Sequence, residues 1–214
     1  MANAIFKVPE PINERVRNYA PGTHERETLK EEIERLRSQV VEIPMCIGGK
    51  EVKTGNLVSI HPPHERKHLL GHFHKGDASH VQMAIEAALE AKEKWAALSW
   101  EHRAAIFLKA ADLIAGPYGD TINAATMLGQ SKNVMQAEID SACEMADFLR
   151  FNVKYMTEIY EQQPMSTELL WNRLEQRPLE GFVFALTPFN FTAIAGNLPS
   201  APAMTTRFRA CSFI

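Results

Sequence analysis

The stretch from Gly181 to Ala203 places the strongest constraint on how this chain can fold. It opens with the unbroken apolar run GFVFAL (181–186), which is typical of a strand buried on both faces of a parallel sheet. Pro188 and Asn190 interrupt the run, because proline lacks the N–H that a sheet ladder needs and Asn favours turns and caps. The stretch therefore predicts a strand, a turn and then a helix.

The small residues 192–203 predict a helix that packs closely on this strand, although Pro199 and Pro202 are expected to kink or end it. Ligands of open α/β sheets bind at the turn after the carboxyl end of a strand. Two interpretations of Asn190 follow. Its side chain can cap the helix, or it can point into a cleft and donate to a developing oxyanion.

Motifs in several parts of the chain accompany this turn. They are AIEAAL (84–89), FLKAAD (107–112), GQSK (129–132), QAEID (136–140), FLRFN (148–152), LTPFNFT (186–192), GNLP (196–199) and APA (201–203). From about Asn13 to Ala203 the chain resembles the aldehyde dehydrogenase superfamily, and more narrowly its branch that oxidises L-glutamate gamma-semialdehyde.

The resemblance implies an NAD-dependent oxidation of L-glutamate gamma-semialdehyde, formed from 1-pyrroline-5-carboxylate, to L-glutamate in proline degradation. Enzymes of this superfamily attack the aldehyde with a cysteine thiolate and pass hydride to a nicotinamide cofactor. Water activated by a glutamate then hydrolyses the thioester. The resemblance makes Asn190 the oxyanion donor, places Phe191 in the aldehyde tunnel and puts Glu138 near the substrate.

Contact with the nicotinamide is implied largely through the backbone of four consecutive residues, Leu186, Thr187, Pro188 and Phe189. The adenosine site belongs to parts of the family pattern that this sequence does not contain. The expected cofactor is therefore NAD, with NADP left open. A small-molecule aldehyde is the expected substrate.

The family pattern stops after Ala203, before the nucleophilic cysteine, the base glutamate and the site for the substrate carboxylate. Cys211, in the divergent tail 204–214, lacks the residues that surround the family nucleophile. We therefore expect a truncated or frameshifted product that is inactive alone. The alternative is a non-catalytic binding module that docks onto full-length subunits through its helices and the strand at 181–186.

The expected fold class is α/β, the helix-rich N-terminal part of an aldehyde dehydrogenase fold with an incomplete Rossmann-like parallel sheet. We expect an extended arm over residues 1–23, the family region over 24–203 and the divergent tail over 204–214. Relatives use the region matching residues 165–176 as a hairpin that helps subunits associate, so the full-length enzyme is expected to be a homo-oligomer.

Periodicity and caps predict the remaining elements. Apolar residues three or four apart predict an amphipathic helix from Glu25 to Glu42, and Gly and Pro punctuation predicts a hairpin and short strands over 43–73. Asp77 and Ser99 are expected to cap the next two helices. Further helices are predicted over 118–128 and, after a break at Gly129 and Gln130, over 133–160.

The region from 61 to 74 holds a histidine cluster, comprising His61, His64, His68, His72 and His74. A metal-binding helical domain built on this cluster is a third interpretation. Prolines prevent one helix from presenting the first three, and zinc requires tetrahedral geometry, so no metal site is expected. His72 and His74 share one face of a predicted strand, which a solvent-exposed edge also explains.

The net charge of −3 gives no electrostatic case for nucleic acid or an anionic membrane. No apolar window is long enough for a membrane helix, and the N-terminus has no signal core. Three widely spaced cysteines suit a reducing compartment. The expected location is the cytoplasm, or the mitochondrial matrix if a eukaryotic presequence was removed.

Overall fold

A computed structural model describes residues 5–205 and the backbone of residues 210–212. The helices are α1 (His24–Arg37), α2 (Ala78–Ala97), α3 (Trp100–Ala115), α4 (Gly119–Gln130), α5 (Val134–Ala137), a π-helical segment (Glu138–Cys143), α6 (Glu144–Glu161), a 3-10 turn (Ile194–Gly196) and α7 (Asn197–Thr205). The strands are β1 (Val41–Ile43), β2 (Met45–Ile47), β3 (Lys50–Val52), β4 (Leu57–Ile60), β5 (Gly71–His74), β6 (Val183–Ala185) and β7 (Ala210–Ser212).

Local capping signals position the helices as predicted. The Asp77 carboxylate accepts hydrogen bonds from the N–H groups of Ser79 and His80, which starts α2. The Ser99 hydroxyl starts α3 in the same way. By contrast, α1 ends at Arg37 and not at Glu42, because residues 41–43 form β1 and pair with β5.

The amino-terminal strands form a hairpin, β2 with β3, and a three-stranded sheet in the order β1-β5-β4. Strand β5 is thus central, and the expectation of a solvent-exposed edge was wrong. His74 is buried there: its Nδ1 accepts from the N–H groups of Thr54 and Gly55, both at 3.1 Å. Its Nε2 lies 2.7 Å from Glu42 Oε1, so the ring is held as the tautomer with hydrogen on Nε2.

Helices α3, α4 and α6 form the core with the N-terminal arm. Small and apolar residues of α3 and α6 interlock in two clusters, one around Ala104, Val153 and Met156 and one around Ala111 and Leu149. The arm crosses α6 as irregular chain and is held by ion pairs such as Glu14 with Arg150, at 2.7 Å. The arm thereby covers α4 and α6.

The long helix predicted over 133–160 forms, but six of its residues, Glu138–Cys143, wind as a π-helix. Asn133 and Gln136 make a capping box at its start. A π-turn inserts one extra residue and is frequently found at functional sites. Here the extra residue changes the direction in which the acidic residues after it point, relative to a regular α-helix.

Strand β6 is shorter and more exposed than the sequence predicts. It covers three residues, and the Phe184 side chain is 61% exposed. The expectation of burial on both faces was wrong for the described residues, because Ala185 is buried on one face whereas Phe184 on the other face is exposed. At its edges β6 pairs there with β7 alone, in parallel. This small parallel pair is the incomplete sheet that the fold class predicted.

Helix α7 packs on α6 and β6 and contains both prolines of this segment. Pro199 lies in the first turn, where a missing N–H breaks no helical bond, and the helix continues past Pro202 to Thr205. The prolines therefore do not end the helix. Within the described residues, no helix is long and apolar enough to cross a membrane.

Candidate active site

The turn over residues 187–192 follows β6 and is the centre of the candidate site. Asn190 lies in this turn, with an exposed side chain, and the 3-10 turn that follows starts only at Ile194. Ala193 occupies the cap position of that turn. The interpretation of Asn190 as a helix cap was therefore wrong, because three irregular residues separate it from the first helical residue.

Gln130, the last residue of α4, binds the backbone of this turn with its side-chain amide. Its surroundings fix the orientation of the amide. In one orientation of the amide, Nε2 donates to the carbonyl oxygen of Asn190 at 3.1 Å, and Oε1 accepts from the N–H groups of Phe191 at 3.1 Å and Thr192 at 3.2 Å. The opposite orientation offers a single long hydrogen bond, from Nε2 to the Phe189 carbonyl oxygen at 3.4 Å, so we assign the first. One side chain therefore holds three consecutive residues of the turn.

Lys132 adds a second contact between the end of α4 and the turn. Its Nζ lies 4.2 Å from the centre of the Phe191 ring, within cation–π range. The same Nζ is 2.6 Å from Asp140 Oδ2 of the π-helical segment. Phe191, the residue implied in the aldehyde tunnel, thus lies against a fixed positive charge.

The connection between Gln130 and Lys132 is held by the histidine region. Ser131 adopts the left-handed conformation, with φ of 57°, and its hydroxyl lies 2.7 Å from His64 Nδ1. His61 Nδ1 lies 2.8 Å from the carbonyl oxygen of His68. In the described part of the chain, no three His, Cys, Asp or Glu side chains come together in a way that could hold a metal ion.

Three carboxylates lie near one another on the π-helical segment and α6: those of Asp140, Glu144 and Asp147. Burial raises the pKa of Glu144, and the neighbouring charges of Asp140 and Asp147 raise it further, whereas Lys132 lowers it. The site therefore combines the Lys132 ammonium group with a carboxyl group whose pKa lies above its ordinary value. Perturbed pKa values cluster at functional sites.

Glu138 is placed differently from the other site residues. Its side chain is 1% exposed, and both oxygens are occupied. Oε1 accepts from the Arg17 N–H at 2.9 Å, and Oε2 accepts from the Tyr19 hydroxyl and from Asn123 Nδ2, both at 2.7 Å. These partners come from the N-terminal arm and α4, so the geometry gives Glu138 a packing role, and its proximity to substrate stays a prediction.

The two cysteines with described side chains differ in their surroundings. Cys46 is exposed on β2. Cys143 is buried, and burial together with the nearby Glu138 charge raises the pKa of its thiol to about 12. A thiol with such a pKa is fully protonated at neutral pH and is a poor nucleophile. The side chain of Cys211 lies outside the described residues.

The structure thus brings Asn190 and Phe191 together with residues for which no role was predicted. Gln130 and Lys132 belong to the GQSK motif (129–132), which carries part of the family resemblance. Glu144 follows Asp140 by four residues, a spacing that could have indicated a shared helix face. The contact between the motif and the turn is long-range and has no local signal.

Comparisons with known proteins bear on this site. The family model described as the aldehyde dehydrogenase family matches residues 51–207. The chain belongs to the aldehyde dehydrogenase family. This match includes α4, the π-helical segment and the turn that holds Asn190, so the candidate site lies inside the aldehyde dehydrogenase region.

Two similar proteins have a name that is more specific than the family name. The delta-1-pyrroline-5-carboxylate dehydrogenase of Agaricus bisporus is 51% identical over 203 residues, covering 94% of this chain and 37% of that protein. The mitochondrial enzyme of the same name from Homo sapiens is 45% identical over 192 residues, covering 90% of this chain and 34% of its own. This member of the aldehyde dehydrogenase family spans little more than a third of the length of these curated relatives.

A solved structure shows the same fold. The delta-pyrroline-5-carboxylate dehydrogenase of Mycobacterium tuberculosis, bound with NAD, superposes with a TM-score of 0.93 at 50% identity. The match covers 96% of this chain and 38% of that one. The α/β fold predicted from the sequence is therefore confirmed as that of an aldehyde dehydrogenase.

Proposed function

We propose that this chain is part of an NAD-dependent dehydrogenase that oxidises L-glutamate gamma-semialdehyde to L-glutamate in proline degradation. The observation that carries the proposal is the turn at 187–192, which presents an exposed Asn190 side chain at the carboxyl end of β6. The identity to relatives named delta-1-pyrroline-5-carboxylate dehydrogenase supports the choice of substrate.

Asn190 has the chemistry that an oxyanion donor needs. Attack of a thiolate on an aldehyde carbon turns the carbonyl oxygen into an oxyanion, and a preorganised amide N–H stabilises that charge. The Asn190 side chain supplies two such N–H groups, and its backbone is held by Gln130. Water exclusion and ring packing around the aldehyde would come from Phe191, whose ring lies under Lys132.

The residues proposed to contact NAD fit a nicotinamide site. Leu186, Pro188 and Phe189 are exposed and irregular directly after a parallel strand, which is where α/β folds bind nucleotides. When bound, NAD would accept the hydride from the substrate carbon. The contribution of this chain is to offer the backbone of residues 186–189 as a contact surface.

We further propose that the 214 residues alone do not turn over substrate. The reaction needs a thiolate, and the raised pKa of Cys143 keeps that thiol protonated. Cys46 lies on the β2–β3 hairpin, which packs on α2. The nucleophile and the base would therefore have to come from additional sequence.

A non-catalytic docking role is the second candidate function. The loop over 163–174 is closed by bonds between Gln163 and Leu174, at 2.7 and 3.2 Å. It presents Trp171 at 98% and Leu169 at 94% exposure. Exposed apolar side chains of this kind mark contact surfaces, so this loop is our proposed site of subunit association in a homo-oligomer.

The first experiment determines the DNA and transcript downstream of the codon for Ala203. If another frame continues the family pattern, the extended protein is expected to reduce NAD with 1-pyrroline-5-carboxylate as substrate. Its Asn190→Ala variant is expected to lose roughly 100-fold or more in kcat, since removal of one oxyanion donor costs that much. The 214-residue chain is expected to show no NADH formation. Full activity of Asn190→Ala would overturn the proposed role.

The expected cellular location follows from the same proposal. The relatives from Dictyostelium discoideum and Homo sapiens are named as mitochondrial. We propose the mitochondrial matrix for a eukaryotic form with a presequence and the cytoplasm otherwise. Cell fractionation of the natural host with an antibody against this chain tests the location.

A further inference from the structure

We infer that Gln130 is a positioning residue, which sets the direction in which the turn at 187–192 presents Asn190. The inference rests on the proposed oxyanion role of Asn190. It starts from one observation: a single side chain donates to the carbonyl oxygen of Asn190 and accepts from the next two N–H groups. A primary amide carries both donors and acceptors, so it matches this set of backbone groups.

The contacted atoms lie where they control Asn190 most directly. The Asn190 carbonyl and the Phe191 N–H belong to one peptide unit, and the Thr192 N–H belongs to the next. Both units follow the Asn190 Cα atom. Holding them restricts ψ of Asn190 and the conformation of Phe191, and hence the direction of the exposed Asn190 side chain.

Gln130 is itself held in place by its neighbours. Gln130 ends a regular helix, and the next residue, Ser131, is held in the left-handed conformation by its contact with His64. Lys132 is then fixed to Asp140 at 2.6 Å and covers the Phe191 ring. The turn is therefore bound at its backbone by Gln130 and at a side chain by Lys132.

The chemical reason for such a clamp is preorganisation. A donor stabilises a developing oxyanion best when its direction is fixed before the reaction. The turn is irregular, and Asn190 is neither in a strand nor at a helix cap. Without Gln130, the backbone after Asn190 would lose its three hydrogen bonds to α4.

Amide hydrogen exchange of the 214-residue chain, followed by NMR, tests the clamp. In Gln130→Ala the N–H groups of Phe191 and Thr192 are expected to exchange roughly fivefold faster, since a hydrogen bond contributes about 1 kcal/mol net. Amides of α6 should exchange at the wild-type rate. Gln82→Ala, which removes a surface amide bonded to Glu86 at 2.9 Å, is the matched control and should change neither N–H group.

Gln130→Glu keeps the acceptor and removes the donor. The Phe191 and Thr192 N–H groups should stay protected from exchange in this variant, whereas a general loss of stability would expose them. This variant carries the test if the alanine variant fails to fold. Wild-type exchange rates at both N–H groups in Gln130→Ala would overturn the inference. If that variant does not fold, loss of protection at both N–H groups in a folded Gln130→Glu would overturn it.

The kinetic readout separates this inference from the proposed function. In an active extended form, Gln130→Ala should lower kcat about tenfold with a much smaller change in KM, because the clamp acts on the oxyanion and not on substrate binding. Faster exchange with unchanged kcat would show that the hydrogen bonds form but do not position Asn190 for the reaction, which overturns the inference; the role of Asn190 itself is decided separately by Asn190→Ala. Unchanged exchange overturns the clamp whatever the enzyme activity.

Discussion

The Tyr19 hydroxyl donates to Glu138 Oε2 at 2.7 Å and so joins the N-terminal arm to a π-helical turn 119 residues later in the chain. Asn123 Nδ2 is 3.1 Å from the same hydroxyl and 2.7 Å from the same carboxylate oxygen, which closes a buried triangle. A buried carboxylate is tolerated only when its lone pairs are satisfied. The arm is therefore a structural part of the helical core.

Removal of the Tyr19 hydroxyl tests this relationship. Tyr19→Phe leaves the ring in the core but takes one donor from a buried carboxylate, so we expect the free energy of unfolding to fall by about 1–3 kcal/mol. Urea denaturation followed by circular dichroism gives the value. Tyr118→Phe, at a half-exposed position, should change it by less than about 0.5 kcal/mol. Equal stability of the two variants would contradict the prediction.

The same cluster makes stability depend on alkaline pH. Burial, and then the hydrogen bond with Glu138, raises the pKa of Tyr19, and burial with the Glu138 charge raises the pKa of Cys143 to about 12. Both groups are neutral when protonated, so folding favours the protonated form. Their stabilising effect is complete below the ordinary pKa values of 9.0 and 10.0 and is lost as pH rises from there towards 12.

We therefore expect the free energy of unfolding to fall steadily between pH 9 and pH 12, by up to about 1.4 kcal/mol per pH unit for each group. Urea denaturation at several pH values measures the slope. Cys143→Ala should make the slope shallower, whereas Cys46→Ala, at an exposed cysteine, should leave it unchanged. A slope that is the same in both variants would show that Cys143 ionises freely in the folded state.

The helices were predictable because their signals are local. Asp77 and Ser99 cap α2 and α3 within the same few residues that mark them in the sequence. By contrast, the burial of Glu138 depends on donors from Arg17 and Tyr19, which no periodicity within the helix can show. Long-range partners of this kind decide which charged residue of a helix is buried.

The site was predictable in its chemistry but not in its supports. The turn residues Asn190 and Phe191 follow from strand and turn punctuation and from the family motif. Gln130 and Lys132 come from the end of another helix, and the sequence marks only that the helix breaks there. The apolar run before the turn indicates that this strand can be buried, but it does not show which strands lie beside it. Within the described residues β6 has only β7 beside it.

Lys132 should control the titration of Glu144. Burial, Asp140 and Asp147 raise the pKa of Glu144, and the Lys132 charge opposes them. Lys132→Met is therefore expected to raise this pKa further. Asp140→Asn should lower it, because a repelling charge is removed and the ammonium group is freed. NMR titration of the Glu144 side-chain carboxyl carbon measures both shifts.

A matched control for this titration is Lys30→Met, which removes a lysine paired with Glu27 on the exposed surface of α1. It should leave the Glu144 titration at its wild-type position. If Lys132→Met lowers the pKa of Glu144, or leaves it unchanged, the ammonium group does not act on this carboxyl and the charge arrangement of the site is different.

Arg103 is expected to be the strongest single stabiliser of α7. Its side chain is fully buried, and its Nε donates to the Met204 carbonyl oxygen at 3.1 Å. Its Nη1 donates to the Leu98 carbonyl oxygen at 2.7 Å, and its Nη2 to the Tyr160 hydroxyl at 3.0 Å. One guanidinium group thus joins the start of α3 and the end of α6 to the carboxyl end of α7.

Arg103→Lys keeps the charge but loses the planar fork that reaches three acceptors at once. A buried ammonium that cannot satisfy these groups should lower the free energy of unfolding by roughly 2–4 kcal/mol. Arg173→Lys, on the exposed loop where Arg173 pairs with Glu175, should change it by less than about 0.5 kcal/mol. Near-wild-type stability of Arg103→Lys in urea would mean that the guanidinium bonds are not needed to hold α7, which is also bonded to Trp95 through the Ala203 carbonyl oxygen at 2.9 Å and to Asn152 through Asn197 at 2.6 Å.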